Sequence, residues 1–275
     1  MNRAYWTVVY QSALNVDIIG RIAARIELML GKLFGGGTPK SSTPEGVRLY
    51  AIGDVHGCAD LLRSLLDMIA ADAGDKPARL VFLGDYVDRG PDSKGVLDLL
   101  LAIRKTRPDT IYLKGNHEQA MLDFLERPHL NEEWLHWGGD KTIESYGVAN
   151  IWTRSPEDVA RDLSKQLPRA HQHFLNELTL FEVIGDYAFV HAGFKPGVPL
   201  ATQVEEDCLW IRSAFHNARP DERPDKVVVH GHHPVKKPLD AGWRIDVDTG
   251  AVWSDALTAV VLEGTTRRFL STGKF

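Results

Sequence analysis

From Val47 onward, short apolar runs alternate with segments of helical periodicity. The runs, which predict β-strands, are Val47–Ile52, Ala78–Leu83, Thr110–Leu113, Tyr187–Val190 and Lys226–Val229. Between the first two runs the apolar positions recur at helical spacing, at Leu61, Leu62, Leu65, Leu66 and Ile69. Residues 96–103 repeat this pattern, and residues 118–182 are predicted to be mostly helical. The alternation predicts an α/β domain.

The first 46 residues follow a different pattern. Isoleucine, methionine and leucine recur at helical spacing over residues 18–33, with charged residues elsewhere around the predicted helix. A segment rich in glycine, proline, serine and threonine, residues 35–44, cannot continue that helix. We therefore predict an amphipathic helix and flexible linker over residues 1–46 and a separate domain over residues 47–275. The helix is expected to pack on its own domain or on a second subunit, with peripheral membrane attachment as the alternative.

Composition narrows the class of protein. The 275 residues are 44% hydrophobic and 25% charged, which is typical of a soluble globular protein of one or two domains. Thirty-two basic and 37 acidic residues give a net charge of -5, which does not favour nucleic-acid binding. Two cysteines cannot build a disulfide framework, so a cytoplasmic location is expected. The longest uncharged stretch, Ala4–Val16, is too short to span a membrane, and we expect no signal peptide.

Polar residues follow each of the five predicted strands directly. The segments are Gly-Asp-Val-His-Gly (53–57), Gly-Asp-Tyr-Val-Asp-Arg-Gly (84–90), Gly-Asn-His-Glu (115–118), His-Ala-Gly (191–193) and His-Gly-His-His-Pro (230–234). Six of the 11 histidines lie in them. Because the carboxyl ends of strands form the ligand crevice of open α/β sheets, these side chains are expected to converge. Carboxylate, imidazole and amide ligands suit Mn²⁺, iron or Zn²⁺, and the lack of thiolates argues against a structural zinc site.

In this order, the five segments resemble the motifs of the phosphoprotein phosphatase family, within the calcineurin-like metallophosphoesterase superfamily. The resemblance extends over about residues 47–265, and residues 134–147 and 209–212 are similar to the compact bacterial protein phosphatases. It implies an α/β fold in which two packed β-sheets are flanked by helices (αββα). It also implies two divalent metal ions, for which we expect Mn²⁺, with iron or zinc as alternatives.

The resemblance also implies six metal ligands. These are Asp54 and His56 at the first ion, Asp85 bridging both ions, and Asn116, His191 and His232 at the second. Among the three histidines of residues 230–233, His232 is chosen because it follows Gly231, as the family's ligand does. His230 is expected to pack or to support a ligand, and His233 stands where the family often has threonine.

Further roles carried over by position concern the reaction itself. His117 is expected to act as general acid, oriented by Asp88, since a leaving alkoxide needs a proton. Arg89 and Arg212, together with Asn116, are expected to bind the phosphate, because planar guanidinium groups match phosphate oxygens. The two ions would activate a hydroxide for direct attack, without a covalent enzyme intermediate.

The leading hypothesis is therefore a phosphoprotein phosphatase that hydrolyses phosphoserine and phosphothreonine, and by extension phosphotyrosine. The alternative from the same superfamily is a symmetrical diadenosine tetraphosphate hydrolase, which would need a pocket for adenine. A metal-free docking protein is not favoured, because every ligand position of the family pattern is occupied. Whether Trp134, Trp137 and Tyr146 line the substrate cleft or pack beneath it is left open.

Overall fold

A computed structural model describes residues 41–274, which contain ten β-strands in two five-stranded sheets. The first sheet comprises β1 (Arg48–Ile52), β2 (Ala78–Phe82), β3 (Ile111–Tyr112), β9 (Thr258–Glu263) and β10 (Thr266–Ser271). The second comprises β4 (Phe181–Ile184), β5 (Tyr187–Val190), β6 (Val227–His230), β7 (Leu239–Asp240) and β8 (Arg244–Asp246). All five predicted strands are present, each within a residue or two of its predicted bounds.

Parallel pairing brings the strand ends of each sheet to one edge. The first sheet has the order β10-β9-β1-β2-β3, in which β1, β2 and β3 are parallel and Ile52 of β1 pairs with Phe82 of β2. The second has the order β4-β5-β6-β8-β7, in which β5, β6 and β8 are parallel. In both sheets, therefore, the segments that follow the parallel strands leave from the same edge.

The helices lie between the strands, as the alternation predicts. They are α1 (Ala59–Ala73), α2 (Ser93–Thr106), α3 (Asn116–Glu126), α4 (Asp140–Ser145), α5 (Pro156–Gln166), α6 (Arg169–Asn176), α7 (Glu205–Trp210), α8 (Ser213–His216) and α9 (Ala251–Ser254). A π-type turn, Leu135–Gly139, precedes α4, and short 3₁₀ turns occupy Pro128–Leu130, Ile151–Thr153, Leu200–Thr202 and Pro220–Glu222. The predicted helical region, 118–182, ends six residues early at Asn176, and Phe181 already begins β4, where it pairs with Val190.

The core has three apolar layers, which follow from the period-two alternation of side chains along each strand. Leu49 of β1 and Phe189 of β5 lie in the layer between the two sheets. Tyr50, the next residue along β1, points to the opposite face and packs among the helices that follow the first three strands. On the outer face of the second sheet, Val190 packs in a third cluster with Phe215. The αββα sandwich implied by the resemblance is thus confirmed.

The first described residues already contact the sandwich. The backbone N–H of Ser42 donates to the carboxylate of Asp186 at 3.0 Å, and buried Thr43 bonds to the carbonyl of Gly264. Residues 1–40, with the predicted helix, lie outside the described residues, so membrane attachment or self-association through that helix stays a prediction. Within residues 41–274, no helix combines the length and apolar character that crossing a bilayer requires.

Candidate metal centre and phosphate site

The backbone is strained where the candidate ligands meet. Seven non-glycine residues of the described chain have a positive φ, and five of them belong to the strand-end segments. These five, with φ between 44° and 73°, are His56, Asp85, Asp88, Arg89 and His232. A non-glycine residue with a positive φ costs about 1–3 kcal/mol of conformational free energy. It persists only where the surrounding structure imposes that conformation. Such clustering is typical of a functional site.

Asp85 lies between two groups of imidazoles. Its Oδ2 is 3.4 Å from Nε2 of His56, and its Oδ1 is 3.4 Å from Nε2 of His191. The donor atoms of His56, Asp85 and His117 lie within 4.8 Å of one another, as do those of Asp85, His191 and His232. Because Asp85 belongs to both groups, its carboxylate is placed to bridge two cations.

Asn116 completes the second group. Its Oδ1 lies 2.9 Å from Nε2 of His191 and 3.0 Å from Nδ1 of His232. Asp54 lies beside this group, where both of its carboxylate oxygens accept from the backbone N–H of His232. A Cβ on Gly231 would stand 2.1 Å from Oδ1 of Asp54, so the close approach requires glycine there. The structure thus brings together the ligands expected for the second ion.

The ionisation of these groups suits cations. Burial lowers the pKa of both His56 and His191, and the neutral imidazole is the form that binds metal. Burial alone would raise the pKa of Asp85, but the surrounding histidines, His191 first, outweigh it and the pKa is lowered. Burial, and then the charge of Asp248, raises the pKa of Asp54 well above its ordinary value. Buried carboxylates that repel one another are relieved by a cation, so the residues present fit two divalent ions.

His117 is oriented for proton transfer. Its Nδ1 lies 2.6 Å from Oδ2 of Asp88, to which it donates, and its Nε2 accepts from Nη2 of Arg89 at 2.8 Å. Burial lowers the pKa of His117, but the carboxylates of Asp85 and Asp88 more than offset this and the pKa is raised. A raised pKa favours the protonated imidazole that a general acid requires.

The three aromatic residues whose location the sequence analysis left open lie in different environments. Trp134 is buried and donates from Nε1 to Oδ2 of Asp88 at 2.7 Å, while Thr142 donates to Oδ1 at 2.6 Å. Tyr146 is also buried, whereas Trp137 is 39% exposed and lines the cavity above His117. Trp134 and Tyr146 thus pack beneath the cleft, and Trp134 holds the carboxylate that orients the candidate acid.

Both predicted phosphate-binding arginines reach the site. Nη1 of Arg89 lies 2.7 Å from Nε2 of His56, and Nε of Arg212 lies 3.1 Å from Nε2 of His232. Nε2 of His56 also faces Asp85, so ion binding there requires Arg89 to release it. His232 faces Asn116 with its other ring nitrogen, Nδ1. Both guanidinium groups also line the cavity, together with Asn116.

Glu118 is a positioning residue that the sequence analysis did not single out. Its buried carboxylate accepts four backbone N–H groups, from Asp85, Tyr86, Val87 and Gly115, at 2.7–3.2 Å. These contacts tie the turn that carries Asp85 to the start of α3. Burial raises the pKa of Glu118 to about 7, while the four donors favour its ionised form. A glutamate three residues after Gly115 is the recognisable signal, because it sits where a helix capping box places its acidic member.

Replacing Glu118 by glutamine should destabilise the fold, because an amide NH₂ would face backbone donors. Leaving buried donors unpaired costs about 1–3 kcal/mol, or more near charge, so the urea midpoint should fall measurably. Glu126→Gln, at the exposed end of the same helix, is the matched control and should unfold like the unmodified protein. Equal midpoints for the two variants would contradict this role.

The features described so far are those of a metal-dependent phosphoesterase. They are the sandwich, the donor groups at its strand ends and the two arginines beside them. The model of the calcineurin-like phosphoesterase family matches residues 47–255, and the chain belongs to this family of hydrolases. The family implies divalent metal ions, and the donor groups described above could bind them.

Some relatives of the chain are named as bis(5'-nucleosyl)-tetraphosphatases and another as a protein phosphatase. Over 227 residues it is 23% identical to the asymmetrical bis(5'-nucleosyl)-tetraphosphatase PrpE of Bacillus subtilis, covering 75% of this chain and 87% of that protein. Over 216 residues it is 29% identical to serine/threonine-protein phosphatase 1 of Salmonella typhimurium, covering 76% and 89%. A symmetrical bis(5'-nucleosyl)-tetraphosphatase of Nitrosospira multiformis is 27% identical over 211 residues, covering 73% and 66%.

Proposed function

We propose that the protein hydrolyses a dinucleoside polyphosphate, the alternative rather than the leading hypothesis of the sequence analysis. The observation that carries the proposal is a ring of exposed tryptophans around the cavity that contains the phosphate-binding arginines. Names among the relatives, which include both asymmetrical and symmetrical bis(5'-nucleosyl)-tetraphosphatases, support the same substrate class.

The cavity has a polar floor and an aromatic rim. Its volume is about 610 Å³, within the range of small-molecule sites. The floor contains the groups suited to phosphate, which are Arg89, Asn116, His117 and Arg212. The remaining lining residues are His136, Trp137, Gly138, Trp210 and Trp253. A ligand that joins phosphates to flat apolar groups matches this cavity, because its phosphates would meet the polar floor and its flat groups the aromatic rim.

The tryptophans of the rim are placed to stack against nucleobases. Trp137, Trp210 and Trp253 are 39%, 36% and 65% exposed, respectively. The rings of Trp137 and Trp210 meet edge to face with centroids 5.6 Å apart, and the guanidinium of Arg89 lies 5.3 Å from the centroid of Trp253. Stacking on such surfaces contributes about 1–3 kcal/mol per base. Phosphate contacts alone would not require an aromatic rim.

Different residues of the chain would bind the metal ions, bind the phosphate and donate the proton. The first ion would be held by His56 and Asp85, whose donor atoms lie together, with Asp54 as a further ligand by resemblance to the family. The second would be held by the ligands grouped around Asn116. When bound, the ions supply Lewis-acid activation of water and of the phosphate. Arg89 and Arg212 neutralise phosphate charge, and His117 donates a proton to the leaving group. Manganese as the metal, with iron or zinc as alternatives, and the cytoplasmic location stay predictions.

The phosphoprotein phosphatase is retained as the second candidate. The Salmonella relative named serine/threonine-protein phosphatase 1 has the higher identity of the first two relatives described above, 29% against 23%. The polar residues on the floor of the cavity could also bind the single phosphate group of a phosphoprotein. The tryptophan rim, however, has no evident use for a phosphoserine side chain.

Turnover of purified, Mn²⁺-loaded protein tests the substrate. The values of kcat/KM for diadenosine tetraphosphate are compared with those for phosphoserine, phosphothreonine and phosphotyrosine peptides, and the nucleotide products are identified. Higher efficiency on the dinucleotide supports the proposal, and the products ATP plus AMP, or two ADP, show which bond is cleaved. Higher efficiency on the peptides would reject the proposal in favour of the second candidate.

Replacing Trp137 by alanine should lower kcat/KM for the dinucleotide about 5- to 160-fold, the equivalent of about 1–3 kcal/mol of lost stacking. Hydrolysis of p-nitrophenyl phosphate, which has no base, should change little. Leu239→Ala removes an exposed apolar side chain on β7 that does not line the cavity, and it should leave both activities nearly unchanged. A proportional loss on both substrates in Trp137→Ala would argue against base stacking.

A further inference from the structure

A second cluster of metal-binding side chains lies where α8 meets the second sheet. It consists of His216 at the end of α8, His230 at the end of β6 and Asp246 at the end of β8. One donor atom from each residue lies within 4.8 Å of the other two. His230 pairs with Asp246 in the parallel register, so the two side chains leave the sheet on the same face. Both are fully buried, and His216 is partly buried.

Two polar atoms of this cluster have no hydrogen-bond partner. Among the described residues, three buried side-chain polar atoms are unpaired, and Nε2 of His216 and Oδ2 of Asp246 are two of them. A buried polar atom without a partner is unfavourable, because it has given up its hydrogen bonds to water. Their concentration at one point indicates that these atoms face a ligand rather than the protein.

The lone pairs converge on the centre of the cluster. Nδ1 of His230 donates to the carbonyl of Gly231 at 3.0 Å, which leaves the lone pair of Nε2 pointing inward. Metal-binding histidines are commonly oriented in this way by a backbone carbonyl. Burial lowers the pKa of His216 to about 4, so this imidazole is also neutral. Ring nitrogens of two histidines and a carboxyl oxygen of Asp246 thus lie close together, an arrangement that a cation stabilises.

One donor–donor distance in the cluster is close to that of a tetrahedral site. Nε2 of His230 lies 3.9 Å from Oδ2 of Asp246. Zinc bonds of about 2.0–2.2 Å place neighbouring ligand atoms roughly 3.3–3.5 Å apart, which small side-chain rotations would reach.

Among residues 41–274, Arg244 is the one charged side chain outside the cluster that contacts His230 and Asp246. Its Nη1 lies 3.1 Å from Nε2 of His230 and 3.6 Å from Oδ2 of Asp246. It therefore satisfies the histidine but leaves the carboxylate oxygen and His216 without a hydrogen bond. The guanidinium and a metal ion would compete for His230.

We propose that His216, His230 and Asp246 form a third metal site, separate from the candidate two-metal centre, that takes a zinc-type divalent ion. Two imidazoles and one carboxylate are a common zinc ligand set, with a fourth position open to water. The ion would join α8 to the ends of two strands. Since α8 directly follows Arg212, it would also hold the segment that carries this candidate phosphate ligand. The proposal does not depend on the substrate.

Zinc counting tests this site. The full-length protein is saturated with Zn²⁺, dialysed, and its zinc measured by mass spectrometry. We expect about three ions per chain in the unmodified protein, and about two in His216→Gln and in the isosteric Asp246→Asn. His173→Gln, which removes an exposed histidine on α6, is the matched control and should retain about three. Two ions in the unmodified protein, or an unchanged count in folded His216→Gln, would overturn the proposal.

Two further measurements do not depend on the loss of a ligand. Arg244→Gln removes the competing positive charge and should bind the third ion roughly tenfold more tightly, because like charges at such short distances repel. In the unmodified protein, the third zinc equivalent should raise the melting temperature beyond the value reached with two. Weaker zinc binding in Arg244→Gln, or no thermal shift, would instead identify the cluster as an arginine-centred network.

Discussion

Replacing Asp85 by asparagine should abolish most of the turnover, by about 10³-fold or more. Asn removes the negative charge from the one side chain shared by both groups of donor atoms. A bridging carboxylate supports two cations at once, and together these contribute several kcal/mol to the transition state, each 1.36 kcal/mol being tenfold in rate. The metal content, measured after dialysis, should fall together with kcat.

Asp67→Asn is the matched control for this prediction. Asp67 is an exposed carboxylate on α1, away from the strand ends, and its amide should leave metal content and turnover unchanged. Circular dichroism would show that both variants fold. Normal metal content with normal activity in Asp85→Asn would refute the bridging role.

Replacing His117 by asparagine should lower the chemical rate about 10²- to 10⁴-fold on alkyl phosphomonoesters, with the metals still bound. Asn cannot supply the proton that an alkoxide leaving group needs. The loss should be smaller for p-nitrophenyl phosphate and for a dinucleoside polyphosphate, because their leaving groups are stable anions. Single-turnover rates on the three substrates would measure this dependence.

Two variants separate proton donation from other roles of His117. His129→Asn, which removes an exposed histidine, should behave like the unmodified protein. Asp88→Asn should lower the pKa of His117, because the carboxylate contributes to raising it, and the alkaline limb of the rate profile should then move to lower pH. Loss of metal from His117→Asn would show that this histidine is a ligand rather than the acid.

Much of the fold follows from local patterns in the sequence. The start of α5 is an example, because Ser155 accepts a hydrogen bond from the backbone of Asp158 and Pro156 occupies the first helical turn. Strands β7 and β10 carried no comparable signal. Both residues of β7 are exposed, and β10 is only half-buried along its length, so neither shows a clear apolar alternation. Pairing with their neighbours, rather than side-chain pattern, defines them.

The sequence alone determined which chemical groups this protein brings to its site. The aspartates, histidines and asparagine stand at the ends of buried strands, and a strand end is a local property that an apolar run followed by glycine reveals. The tertiary structure decided which of these groups share a centre. The distance between His56 and His191 depends on how the two sheets pack, and no periodicity in one strand encodes that. The tryptophan rim, the role of Glu118 and the cluster around Asp246 arise in the same way, because each joins residues that are distant in the chain.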